Sequence, residues 1–268
     1  MLTKQELIRQ IKALGIEISD TVMVHTSLRS LGAVEAADKT AAHILIEALR
    51  ECLPEGLLLI PAHTWANVRE DGDVMDMRST MPCIGAVPTV AVELAAAAYD
   101  AQDGTCLRSR HPTHSVVAFG KRAAEYVAGD DAAVTPAPVD GSFGRLYGEN
   151  GKILLIGVTH ARNTFFHAVD EYLDIPDRLQ PQPTRLFLRD YDGTVTERPV
   201  TRHLRSMSHF FDNYEPYLLR VGAVRLGKLG DAEVRLCDAK ECAHGIEKLW
   251  AVADHDLCAA YETLKQPQ

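Results

Sequence analysis

TVMVHTSLRSLGAVEAADKTAAHILIEALRECLPEGLLLIPA, residues 21–62, decides the fold class. TVMVH (21–25) and GLLLIPA (56–62) are short apolar runs, read as strands buried in a core. Between them DKTAAHILIEALREC (38–52) spaces its apolar residues as a helix does, with Asp38 as the expected N-cap. Strand, helix and strand in that order predict a crossover unit and a largely parallel sheet.

Upstream, residues 3–14 form an amphipathic helix with Thr3 and Glu6 as a capping box, not a signal peptide. Downstream, VREDGDVMDMRSTMPC (68–83) has no clean period and reads as an excursion loop. GAVPTVAVELAAAA (85–98) is a helix with Pro88 near its start. HSVVAFG (114–120) is a strand, KRAAEYVA (121–128) a helix, and DDAAVTPAPVDGS (130–142) a loop leading into a short helix, SFGRLYGEN. KILLIGV (152–158) is the third strong core strand. TRLFLRDYDGTVTERPV (184–200) then alternates around Asp192 and Gly193, a hairpin signal, and residues 222–239 read as a second hairpin. Residues 238–265 are helical. The coarse division is a core over 1–180 and a hairpin and helix region over 181–268, packed on that core.

The chain has 268 residues, 46% hydrophobic and 24% charged, the profile of a soluble globular protein. No run of apolar residues is long enough to span a bilayer. Six cysteines (52, 83, 106, 237, 242 and 258) lack a CxxC pair, which fits reduced thiols in the cytoplasm. A formal net charge of −9 argues against a nucleic-acid partner.

Chemistry-bearing residues gather where strands end, the edge at which α/β sheets bind ligands. HTSLRSLG (25–32) offers hydroxyls and backbone N–H groups, with a connecting turn as the plain alternative; no GxSxG elbow marks Ser27 as a nucleophile. PAHTW (61–65) places His63 and Trp65 on a loop. RSRHPTH (108–114) holds two arginines suited to phosphate; Pro112 breaks the helix that would align His111 and His114 on a metal.

GVTHARNTFFHAVDE (157–171) spaces His160, Thr164, His167 and Glu171 along one helix face, with Phe165, Phe166 and Val169 on the packing side. A solvated face, a metal site and an acid–base device all fit that stripe. His167 lies near a helix start, where the macrodipole favours neutral imidazole, and Asp170 or Glu171 can reach toward it.

VHTSLRSLG (24–32), LLLIPAHTW (57–65), RSRHPTHSVVAFG (108–120) and KILLIGV followed by NTFFHAVDE (152–171), in this order, resemble the aminoglycoside 3-N-acetyltransferase, or antibiotic N-acetyltransferase, family. The resemblance runs over about residues 1–175. It implies a three-layer α/β/α fold around a mixed, largely parallel sheet with a smaller antiparallel β region, distinct from the GNAT fold. It implies acetyl transfer from acetyl-CoA to an amine, without a metal, and a homodimer; the cytoplasmic location rests on the cysteines and the N-terminal helix instead. His25, Thr26, Ser27, Leu28, Arg29, Ser30, Arg108, Ser109, His111, Ser115 and Val116 would contribute to coenzyme A binding. His167 would be the general base with Asp170 or Glu171 behind it. His63, Thr64, Trp65, His160, Thr164 and His203 are assigned to the acceptor side. Asp170 stands where the family usually has Glu, and TRHLRSMSHFFDNYE (201–215) falls outside the matched motifs. Two other readings remain: a metal-dependent hydrolase using His63, His111, His160 and His167, and a non-catalytic module that binds coenzyme A.

Overall fold

A computed structural model describes residues 1–204 and 207–253; the expected helix beyond Ala253, and Cys258, lie outside the described residues. The first helix, α1 (Lys4–Ala13), is capped as expected: Thr3 accepts from the Glu6 N–H, and the Glu6 carboxylate accepts from the Thr3 N–H at 2.8 Å. β1 (Thr21–Thr26), α2 (Ala41–Cys52) and β2 (Leu57–Pro61) follow, with β1 and β2 parallel and Thr21 opposite Leu57.

The cap of α2 differs from expectation. A turn closes from the Lys39 N–H to the Ala36 carbonyl at 2.7 Å, with Ala37 at φ 47°, and holds Asp38 ahead of the helix. Thr40 caps instead: its hydroxyl accepts from the His43 N–H, and His43 Nδ1 faces the Thr40 N–H at 3.4 Å.

The excursion over 68–83 contains a short strand, β3 (Val74–Asp76). After α3 (Ala86–Asp100), β4 (Cys106–Arg108) and β5 (Val116–Phe119) form an antiparallel pair. The sequence showed only β5 of these, because three residues are too few to display a period. α4 (Ala123–Asp131), α5 (Ser142–Gly148), β6 (Lys152–Ile156) and α6 (Phe165–Tyr172) complete the first two-thirds of the chain. The two expected hairpins are β7 (Thr184–Arg189) with β8 (Val195–Val200) and, after α7 (Glu215–Arg220), β9 (Val224–Leu229) with β10 (Ala232–Asp238). α8 (Ala239–Ala253) ends the described chain.

The main sheet has seven strands in the order β4-β5-β2-β1-β6-β10-β9. It is mixed as expected, but its parallel part is confined to the central β2-β1-β6; both flanks are antiparallel. The two hairpins have different fates. β9 and β10 extend the main sheet beside β6, whereas β7 and β8 join β3 in a separate three-stranded sheet. Alternate residues of the central strands feed opposite cores. Val22, Leu58 and Leu154 pack with α1, α2 and α3, while Met23, Leu59 and Ile153 pack with α4, α5, α6 and α8. The layers are therefore α/β/α. A third cluster around Met75, Leu186 and Leu188 knits the small sheet.

Thr40→Ala is expected to lower stability by about 1 kcal/mol and Asp38→Ala to leave it unchanged. Urea unfolding of the two variants checks the cap, and equal losses would contradict it.

Candidate active site

The carboxyl ends of β1, β2 and β6 open into one cleft of about 830 Å³. Its floor carries Thr26, His63, His114, His167 and His203, and α3 supplies apolar wall from Val87 and Pro88. Arg69, Arg162 and Arg202 also line it, and among the described lining residues there is no carboxylate. Trp65 stands at the mouth, 47% exposed. The Thr26 hydroxyl and His63 Nε2 are buried without hydrogen-bond partners among the described residues.

The turn after β6 sets the chemistry. Gly157 adopts φ 62°, and a Cβ there would fall 1.6 Å from Ser30 Oγ. This close approach seats the 3-10 turn Leu28–Leu31 against the end of β6 and brings the β1 end to the cleft. Asn163 then interrupts the expected helix face. Its backbone is extended, its Oδ1 accepts from the Phe165 N–H at 3.2 Å, and its Nδ2 lies 3.3 Å from His160 Nδ1. His160 thus belongs to a separate 3-10 turn. It is fully buried, stacks on Phe166 at 4.8 Å and sets Nε2 3.3 Å from Glu215, away from the cleft. Thr164 and His167 of that predicted face do line the cleft; Glu171 does not.

Histidine rings form a contiguous cluster. His167 lies 4.1 Å from His203, His203 5.5 Å from His114, and His114 4.7 Å from His63. They meet ring to ring rather than converging on one point, and among the described residues no group of three or more His, Cys, Asp or Glu is placed to hold a metal ion. Burial holds the His167 imidazole well below its ordinary range, and His203 and His63 add to that. The neutrality expected from the helix dipole is thus present, with desolvation as its main cause.

Neither carboxylate on α6 turns to His167. Asp170 is buried, its oxygens accept no hydrogen bond from a described residue, and Oδ2 lies 3.7 Å from Arg178 Nε. Glu171 accepts from the Ala137 N–H at 3.0 Å. Burial raises each to about 7; Arg178 acts against this at Asp170, and the bonds from Thr135 and Ala137 act against it at Glu171.

The residues assigned to coenzyme A separate into two groups. His25, Thr26 and Ser27 line the cleft. Ser30 donates to the Ser27 carbonyl at 2.6 Å, Leu28 packs on the core and Arg29 is exposed. The segment after β4 is internal. Arg108, 2% exposed, donates to Ser115 Oγ and to the Met77 and Thr80 carbonyls at 3.2 Å. Ser115 donates to the Ala62 carbonyl, Ser109 accepts from the Val116 N–H, and His111 Nε2 lies 3.1 Å from the Thr135 carbonyl. Thr64 likewise donates into the interior, to the Pro112 carbonyl. These side chains hold the loops that frame the cleft and do not line it. Sequence reasoning missed Arg69, Arg162, Arg202 and Gln180 as lining residues, since none of them holds a spaced position, although Arg162 and Arg202 lie within the quoted stretches 157–171 and 201–215.

A helix-clad mixed sheet with a deep strand-end cleft and a neutral histidine at its floor has the form of an α/β/α enzyme. A sequence profile for aminoglycoside 3-N-acetyltransferase matches residues 23–251. Aminoglycoside N(3)-acetyltransferase VIII of Streptomyces fradiae is 25% identical over 277 residues, covering 92% of this chain and 91% of that protein. Among solved structures, AAC-IIIb as a binary complex with CoASH superposes with a TM-score of 0.75 at 22% identity, covering 93% of this chain and 96% of that one. A histidine-to-alanine mutant of AAC(3)-IVa in complex with a gentamicin gives a TM-score of 0.75 at 23% identity over 97% of this chain and 96% of that one. The chain belongs to the aminoglycoside 3-N-acetyltransferase family, and acetyl-CoA is the co-substrate that membership carries. The structural likenesses carry the fold.

Arg108→Met is expected to lower stability by about 2 kcal/mol, because buried carbonyls lose their donors. Coenzyme A affinity should not change, and calorimetry showing it weakened would return Arg108 to the binding site.

Acid should unfold the protein through its buried histidines. His25, His63, His111, His114, His160, His167 and His203 all have lowered pKa values, with burial as the first cause. Their contribution to stability is complete above the unfolded value near 6.5 and is lost as pH falls through the folded values, about 4 for His111, His160 and His203. Asp130, Asp170 and Glu171, raised to about 6, 7 and 7, act oppositely, because their contribution is lost as pH rises. The histidines outnumber them, so urea midpoints should fall between about pH 6.5 and 4.5, and a flat profile would contradict this.

Proposed function

We propose that the protein transfers the acetyl group of acetyl-CoA to an amine of an aminoglycoside or aminoglycoside-like acceptor, with His167 as general base. The observation that carries this reading is the placement of His167, a neutral imidazole on the first turn of α6 at the floor of the cleft. The non-catalytic alternative has no comparable use for such a group.

Several features suit coenzyme A. Arg69, Arg162 and Arg202 offer guanidinium groups to its phosphates, and Val87 and Pro88 offer an apolar wall to its pantetheine arm. The unpartnered Thr26 hydroxyl is a donor for the thioester carbonyl. Bound acetyl-CoA supplies an activated acyl group. The acceptor nitrogen forms the new N–C bond, the C–S bond breaks, and His167 takes the ammonium proton as the nitrogen becomes more acidic during attack. That proton can then pass to the departing thiolate. His63 and Trp65 flank the acceptor approach, and residues 202–204 of the C-terminal region complete that side of the cleft.

Among the described residues, no helix is long and apolar enough to cross a membrane. The reading places the enzyme in the cytoplasm, consistent with Cys52, Cys83, Cys106, Cys237 and Cys242 all being free thiols. It also takes two copies of the 29.5 kDa chain as the working assembly, which light scattering checks directly.

Thiol release from acetyl-CoA, screened against aminoglycosides and less highly charged amines, tests the reaction. A responding acceptor is expected, and His167→Ala should slow it by at least about 100-fold while acetyl-CoA still binds. An unaffected rate removes His167 as the base. With His167 neutral well below pH 6.5, kcat/KM should show no acid-side break near 6.5 from this residue.

A further inference from the structure

Asp170 faces a strap rather than the base. Arg178, whose Nε lies 3.7 Å from Asp170 Oδ2, begins a short antiparallel ladder. The Arg178 carbonyl accepts from the Leu204 N–H at 2.8 Å, the Gln180 N–H donates to the Arg202 carbonyl at 2.8 Å, and Leu179 pairs with His203. The His203 ring held by this ladder lies 4.1 Å from His167, tilted by 30°. Next to the ladder, the Thr201 N–H donates to the Val134 carbonyl at 2.8 Å, in the loop whose Ala137 N–H is held by Glu171. The two carboxylates of α6 thus reach two connected segments of the cleft wall.

We propose that Asp170 is a positioning residue acting through Arg178: their ion pair anchors the 178–180/202–204 ladder to α6 and so holds the His203 imidazole against His167. This rests on the reading of His167 as the base. Three features support it. Asp170 and Arg178 are both buried, so their pairing is little screened by solvent. Among the described residues the Asp170 oxygens accept no hydrogen bond, from His167 or any other. The ladder is also the described segment that carries His203 to the cleft, from a region outside the family motifs of residues 1–175. A ring packed at this distance limits the rotation of His167 and excludes water from one of its faces. A small loss of alignment at a reacting base slows turnover far more than it weakens binding.

Two measurements decide it. In steady-state kinetics, Asp170→Asn and His203→Ala should each lower kcat about tenfold with little change in the KM for acetyl-CoA. The double variant should be no slower than the slower single one; losses that multiply would mean separate routes and overturn the proposal. Independently of turnover, histidine C2–H resonances at pH 8 report the ring contact. Asp170→Asn should move the His203 and His167 signals and leave that of His244 in place. Arg178→Lys should do the same and serves if Asp170→Asn does not fold. A His203 signal unmoved in the folded variants overturns the proposal. If the parent releases no thiol with any acceptor, the acetyltransferase reading fails, while the resonance measurement still decides the role of Asp170.

Discussion

The three central strands β2, β1 and β6 are apolar on both faces, and that forces most of what surrounds them. Val22 and Val24 point to one side, Met23 to the other, and β2 and β6 repeat the division. Such strands cannot leave either face in water, so helices must cover both sides. The loops leaving β1, β2 and β6 then have one shared edge, and the cleft lies there. Flanking antiparallel strands widen the sheet without altering this arrangement.

Inside the cleft the dominant effect is desolvation. A cluster of imidazoles in contact, with few counter-charges, stays neutral because protonating one ring would place a charge in a medium that solvates it poorly. The proposed base for amine acetylation needs to be unprotonated, and burial supplies that state with no dedicated carboxylate beside it among the described residues. The family motif places acidic residues after the histidine. In this chain they serve the protein around the base: one pairs with Arg178 and the other holds the loop at Ala137. Arg108 follows the same logic, a cation used to satisfy carbonyls of the 77–80 turn.

The central strands, the helices between them and both hairpins were legible because each is long enough to show its period. β3 and β4 were not, being three residues each and defined by partners far along the chain. The histidine of the candidate site was legible from motif order. The break at Asn163, which removes His160 from the cleft, was not, since helical spacing carries no signal that a side chain will satisfy the backbone and end the run.

By itself the sequence determined the longer strands and helices, the family, and the candidate base, because these depend on local periodicity and on motif order. Only the tertiary structure decided which polar side chains face the cleft. Arg108, Ser109, Ser115 and Thr64 turn inward, Arg202 and His203 turn toward the cleft, and Asp170 turns to Arg178. The physical reason is that a buried polar group goes where its partner is, and those partners lie up to dozens of residues away in the chain.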